Sequence, residues 1–83
     1  MRLYCKLYTN KVKMVEVNLN DPVCILLQKL NLKSKIEKQT KFVFRGKTHD
    51  VASCLTFEDI GFTDQDDNVR LALINQAISG IIN

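Results

Sequence analysis

The residues of this chain with the means for covalent chemistry are Cys5, Cys24 and Cys54, together with the adjacent pair His49 and Asp50. A thiol nucleophile needs a base within hydrogen-bond reach and a third group to orient that base. Successive side chains of an extended segment point to opposite sides, so His49 and Asp50 do not suit the roles of base and orienter together. Cys54 lies nearest to His49 in sequence. Cys5 and Cys24 fall on a strand and a helix, at positions that favour small buried or boundary side chains. The three cysteines are odd in number and far apart, which fits neither a disulfide framework nor a Cys-x-x-Cys metal site, and they read as reduced thiols. The segment "RGK" is no phosphate loop, because Gly46 is the only glycine nearby and nothing helical begins after Lys47. The expectation is a non-enzymatic domain with no catalytic residue, metal or cofactor.

Eighty-three residues, 46% of them apolar, make one small domain with a modest core. No apolar run approaches the roughly 18 residues of a membrane span. The start "MRLYCK" lacks the apolar stretch of a signal peptide, so cytoplasm or nucleus is the expected location. The net charge of +3 is unevenly spread: residues 1–47 carry +8 and residues 48–83 carry −5. Dispersed lysines on solvated faces account for this more simply than a nucleic-acid footprint.

Such residues must be positioned by a small set of elements. Met1, Leu3, Cys5 and Leu7 alternate with polar residues, as do Val15, Val17 and Leu19, with "YTNKV" and its Asn10 between them. This pattern predicts a β-hairpin at the start of the chain. In "NDPVCILLQKL" Asp21 is placed to cap a helix and Pro22 to begin it, and Val23, Leu26, Leu27 and Leu30 follow at helical spacing. The polar "NLKSKIEKQTK" reads as helix exit and loop. "KFVFRGK" is expected as a strand stopped by Gly46, with Phe42 and Phe44 on one face and Val43 and Arg45 on the other. "LTFEDIGF" predicts a short helical turn capped by Thr56, with Gly61 at positive φ. "NVRLALI" closes the order as a strand with Val69, Leu71 and Leu73 inward.

This order resembles ubiquitin and its relatives over about residues 1–74. Met1, Lys6, Thr9, Lys11, Glu16, Val17, Asp21, Lys29, Lys33 and Ile36 match ubiquitin without a gap; "KFVFRGK" is similar to its Arg-Leu-Ile-Phe-Ala-Gly-Lys strand, and "LTFEDIGF" to its Thr-Leu-x-Asp-Tyr-x-Ile turn. The resemblance implies an α+β, β-grasp fold, with one helix packed across a mixed four- to five-stranded sheet. It also implies a protein-binding module or the precursor of a protein modifier, bound as a monomer by proteins that recognise ubiquitin-like folds. Carried over by position, the binding patch comprises Tyr8, Val43 and Ala72, with Arg45, Lys47 and Arg70 adding positive charge that favours an acidic partner. Ubiquitin has a lysine in its helix where Leu27 stands here, so Leu27 is expected in the core near Val51. A small RNA-binding domain is the alternative: Tyr4 and Tyr8 share a strand face with Arg2 and Lys6, although the last strand adds only Arg70.

The last stretch, "ALINQAISGIIN", divides at about Asn75. Alternation lapses beyond Ile74, so a domain over 1–75 and a flexible tail over 76–83 are expected. Conjugated relatives end in Arg-Leu-Arg-Gly-Gly; here neither arginine nor di-glycine is present, and Gly80 alone offers a glycine terminus after processing. The chain as it stands is therefore not expected to be charged by a ubiquitin-activating enzyme. Its richness in Lys, Asn and Ile is similar to that of ciliate precursors in which ubiquitin-like domains alternate with bacterial-intein-like ones, where a neighbouring domain could process the junction.

Overall fold

The computed structural model describes residues 1–7 and 9–75. The hairpin forms as the alternation predicts. Strand β1 (Arg2–Lys6) pairs antiparallel with β2 (Val12–Glu16), from Arg2 opposite Glu16 to Lys6 opposite Val12. Asn10 takes φ 67° in the connection, where its short polar side chain tolerates the left-handed region. Leu3, Cys5, Val15 and Val17 face inward and are buried.

The helix begins later and ends sooner than its spacing suggests. Helix α1 covers Ile25–Lys29, and Cys24 at its N-cap makes no side-chain cap bond. Asp21 is not the cap: its carboxylate accepts the Asn18 amide at 2.9 Å. Pro22 does not begin the helix either, because it forms a bridge with Thr56. The segment before α1 is thus paired with another part of the chain, which outweighs local capping signals. Asn31, at φ 59°, ends the helix, with Leu32 N donating to Leu27 O at 2.8 Å and Asn31 N to Gln28 O at 3.1 Å. That pair of bonds is a Schellman ending, with asparagine in the left-handed position. Val23, Leu26 and Leu30 form the buried stripe, while Leu27 is only partly buried beside it, a correction to its expected place in the core.

Beyond α1, Ser34 and Glu37 exchange side-chain-to-backbone hydrogen bonds at 3.0 and 3.2 Å. This reciprocal capping box opens a single 3-10 turn, Glu37–Gln39. Strand β3 (Lys41–Phe44) then follows, with Phe42 and Phe44 buried. Gly46 does not stop the chain; it reverses it. Arg45 (φ 51°) and Gly46 (φ 80°) make a two-residue turn with both residues at positive φ, the form whose twist suits a hairpin. The chain returns as β4 (Lys47–Asp50), pairing Phe44 with Lys47 and Lys41 with Asp50. "KTHD" has no apolar alternation because β4 is an edge strand with little to bury.

Strand β5 (Val69–Ile74) runs parallel to β1 and antiparallel to β3, and the sheet order is β2-β1-β5-β3-β4. The architecture is α+β: a mixed five-stranded sheet with one short α-helix. Inside it, the Phe44 and Phe62 rings stack at 3.8 Å and 4°, and Phe57 meets Phe62 edge-on at 5.5 Å. The turn carrying these rings is framed as its sequence predicts. Thr56 and Asp59 cap each other at 3.0 Å, and Gly61 sits at φ 111°. Phe62 N donates to Phe57 O at 3.0 Å and Gly61 N to Glu58 O at 3.1 Å, a second Schellman ending whose apolar contact is the Phe57–Phe62 pair.

Two exposed carboxylates, Asp59 and Asp67, accept hydrogen bonds that should add modestly to the acid sensitivity of the fold. The backbone amide and hydroxyl of Thr56 hold the Asp59 carboxyl below its ordinary value of 3.8. The amides of Arg2 and then Asn68 do the same for Asp67. A depressed folded value means that the stabilisation is complete above the unfolded value and disappears as pH falls through the lower folded value. The thermal midpoint should therefore hold steady from neutrality down to about pH 5 and fall below about pH 4. Asp67→Asn should flatten that fall in a scanning-calorimetry series, and an unchanged slope would remove Asp67 from this role.

Candidate functional site

The outer face of the sheet, opposite the core, carries Val12, Met14, Val43 and Ile74, four of the exposed large apolar residues among those described. Strand registers set Val12 opposite Lys6 and Lys6 opposite Ala72. Lys41 lies opposite Ile74 and Phe42 opposite Leu73, so one further step of that antiparallel ladder brings Val43 beside Ala72. Val43 in turn pairs with Thr48. A single row, Val12, Lys6, Ala72, Val43 and Thr48, thus crosses all five strands at about 4.8 Å per step. A second row sets Met14 opposite Tyr4 and Tyr4 opposite Arg70. Val12 is 61% exposed, Met14 48% and Val43 43%.

Between the rows lies a shallow groove of about 600 Å³, lined chiefly by Tyr4, Lys6, Val12, Asn68, Arg70 and Ala72. Its charge comes from Lys6 and Arg70, neither of which has an ion pair among the described residues. The floor is apolar and the sides are cationic. Such a surface suits an acidic segment that also presents an apolar side chain.

The patch residues expected from sequence divide unevenly. Val43, Ala72 and Arg70 share this face, as their alternation requires. Lys47 is exposed but stands opposite Phe44, at the hairpin end, and the cross-strand neighbour of Val43 is Thr48. Arg45 does not add free charge to the patch. Its guanidinium donates to Gly61 O at 3.0 Å and Asp66 Oδ1 at 2.8 Å, and lies 4.8 Å from the Phe44 ring centroid. The positive φ of the turn turns Arg45 away from the strand alternation that placed it beside Val43. Tyr8 and Gly80 lie outside the described residues, as does the expected tail over 76–83.

Val12 and Met14 were not legible as site residues. Apolar residues at alternating positions signal a strand but do not distinguish its faces. Met14 falls out of phase with Val15 and Val17, which is the one available signal. Tyr4 and Lys6 stood out only as the aromatic and basic pair of a nucleic-acid surface.

Among the described residues no hydrogen bond joins a thiol to the His49 imidazole. Cys5 is fully buried, and that burial pushes its thiol up to about 11, so little thiolate forms near neutral pH. His49 sits on the core side with its ring 5.5 Å from Phe42, and its Nε2 is enclosed without a hydrogen-bond partner among the described residues. Asp50 turns the other way, 4.0 Å from Lys41. No group of three or more His, Cys, Asp or Glu residues able to hold a metal ion is present among the described residues. Nor is any described helix long and apolar enough to cross a membrane.

No protein-family model matches the chain, and no curated protein matches it significantly.

Proposed function

We propose that this chain is a ubiquitin-like domain of β-grasp type that acts by being bound on its outer sheet face. The partner is a protein segment that is acidic and carries an apolar anchor. The row formed by Val12, Lys6, Ala72 and Val43 carries this proposal: three apolar positions around a cation that has no ion pair among the described residues. Titrating isotope-labelled protein with an acidic amphipathic helix should shift the amides of Lys6, Val43, Arg70 and Ala72 together. Val43→Ala should weaken that binding by roughly five- to tenfold, the effect of removing about 1 kcal/mol of apolar contact. The thermal midpoint should stay within about 3 °C, because the side chain is exposed in the free domain. Shifts confined to the helix side, or a Val43→Ala protein that unfolds, would sink the proposal.

A second function has one observation behind it. Tyr4, Lys6 and Arg70 line the same groove, the aromatic and basic combination on which single-stranded nucleic acid stacks. A salt-dependent shift of these amides with an RNA homopolymer, and none with the acidic helix, would assign the face to RNA.

The modifier-precursor branch of the proposal rests on Gly80. The 83-residue chain incubated with activating enzyme and ATP should give no thioester, and chain truncated after Gly80 should give one if the domain is a processed modifier. No thioester from either form would remove that branch and leave the binding module.

A further inference from the structure

We infer that Cys24 and Cys54 form a reversible intramolecular disulfide when the thiol pool becomes oxidising. The two are 30 positions apart in sequence, but the fold draws their segments together. Pro22 bridges Thr56 in an antiparallel sense, and Val23 N donates to Leu55 O at 2.7 Å. The pairing ends there, because Cys24 turns into the helix with φ −63° and ψ −9°. Cys24 N lies 2.9 Å from Ser53 O, the carbonyl whose carbon is bonded to the Cys54 nitrogen. That hydrogen bond, together with the fixed geometry of the trans peptide joining Ser53 O to the Cys54 Cα, holds the two Cα atoms within about 7 Å of each other. A disulfide spans about 4.4–6.8 Å between Cα atoms.

Their surroundings divide the work between them. Cys54 is exposed and Cys24 half-buried, and both are free thiols. Cys54 meets a soluble disulfide such as oxidised glutathione first. Its thiolate, having lost its proton to solvent, attacks one glutathione sulfur; that S–S bond breaks, and one glutathione leaves and takes up a proton. The Cys24 thiolate then attacks the Cys54 sulfur and expels the second glutathione. Two protein thiols are oxidised, one glutathione disulfide is reduced to two thiols, and the sum balances. Cys5 takes no part, being buried and poor in thiolate.

The link staples the entry of α1 to the loop before the Thr56 turn and closes a loop holding α1, β3 and β4. It lies on the helix side of the sheet, so the outer face is unaltered by it. The expected consequence is a more stable domain with the same binding surface. Oxidation thereby controls how long the folded chain survives and leaves its choice of partner alone.

Incubating the reduced protein with excess oxidised glutathione tests this. The expected product is a monomer lighter by two hydrogens, with the tryptic peptides containing Cys24 and Cys54 joined, reversed by dithiothreitol. Its thermal midpoint should rise by roughly 10 °C or more over the reduced form, as a loop of this size implies. Cys24→Ser should halt at a glutathione adduct on Cys54, and Cys54→Ser should form no link. A wild-type protein that stops at the Cys54 adduct, dimerises through Cys54, joins Cys5 to either partner, or does not react would each overturn the inference.

Discussion

Replacing Phe62 with alanine should cost about 3–5 kcal/mol, in the range measured when buried aromatic rings are truncated. A small domain of this size has a total stability toward the low end of about 5–15 kcal/mol. Phe62→Ala should therefore leave a substantial unfolded fraction at room temperature. The reason is local and specific. Phe62 is 1% exposed, stacks on Phe44 from the sheet and meets Phe57 edge-on from its own turn. Its ring thus ties the Thr56 turn to β3. Phe62→Leu keeps most of the volume and should lose less than half as much. Urea titration at 25 °C would measure both, and a loss for Phe62→Ala below about 1 kcal/mol would mean the ring is not buried in solution.

Phe57 and Phe62 also illustrate what pattern reading could not reach. They stand five positions apart, a spacing that matches neither the strand period nor the helical one. They meet because Gly61 takes a positive φ and returns the chain across its own turn. The glycine and the Thr56 cap were visible, while the ring contact they produce was not. The same contrast runs through the sheet. β1, β2, β3 and β5 announce themselves by alternation because each buries one face. β4 buries too little to alternate, and its existence depends on reading Arg45-Gly46 as a reversal, with a non-glycine residue at positive φ that offers no cue. The helix start misled for the opposite reason. Asp21 and Pro22 are sound local signals, but residues 22–24 are held by the 53–56 segment through contacts 29 to 34 positions away in sequence.

Of the proposed binding face, Val43, Ala72 and Arg70 were recoverable from alternation together with the resemblance to ubiquitin. Arg45 was misplaced, since a residue within a tight turn no longer follows the phase of its strand. Val12 and Met14 escaped because they are apolar residues without a core to join, and only the sheet order shows them on the same face as Tyr4 and Ala72.

Asn75→Ala is the second substitution expected to have a large effect. Asn75 occupies the inward position after Leu71 and Leu73 and is 2% exposed. Its amide donates to Ile36 O at 2.7 Å and Thr40 Oγ1 at 3.0 Å. Thr40 in turn donates from its hydroxyl to Glu37 O at 2.7 Å. Removing the amide leaves the part-buried Ile36 carbonyl and the buried Thr40 hydroxyl without this donor, a change of about 1–3 kcal/mol. Asn75→Asp should be worse, because it sets a carboxylate against that carbonyl. Hydrogen exchange should quicken at the Ile74 end of β5 and in the 36–40 segment more than in β1. Uniform quickening, or none, would separate Asn75 from this local role.

The position of β5 bears on how the chain acquires its structure. The β1–β2 and β3–β4 hairpins are each built from neighbours in sequence, yet no ladder joins one to the other; β5 alone lies between them and pairs with both. It is also the last of the described strands in chain order. As the chain leaves the ribosome at about 5–20 residues per second, both hairpins emerge before the strand that unites them. The apolar faces of Leu3, Cys5 and Phe42 must wait for Leu71 and Leu73 to arrive. The parallel β1–β5 pairing closes nearly the whole chain into a loop, and contacts at such separation are slow to form. Assembly is thus deferred until β5 has emerged, and the sheet is completed from its centre.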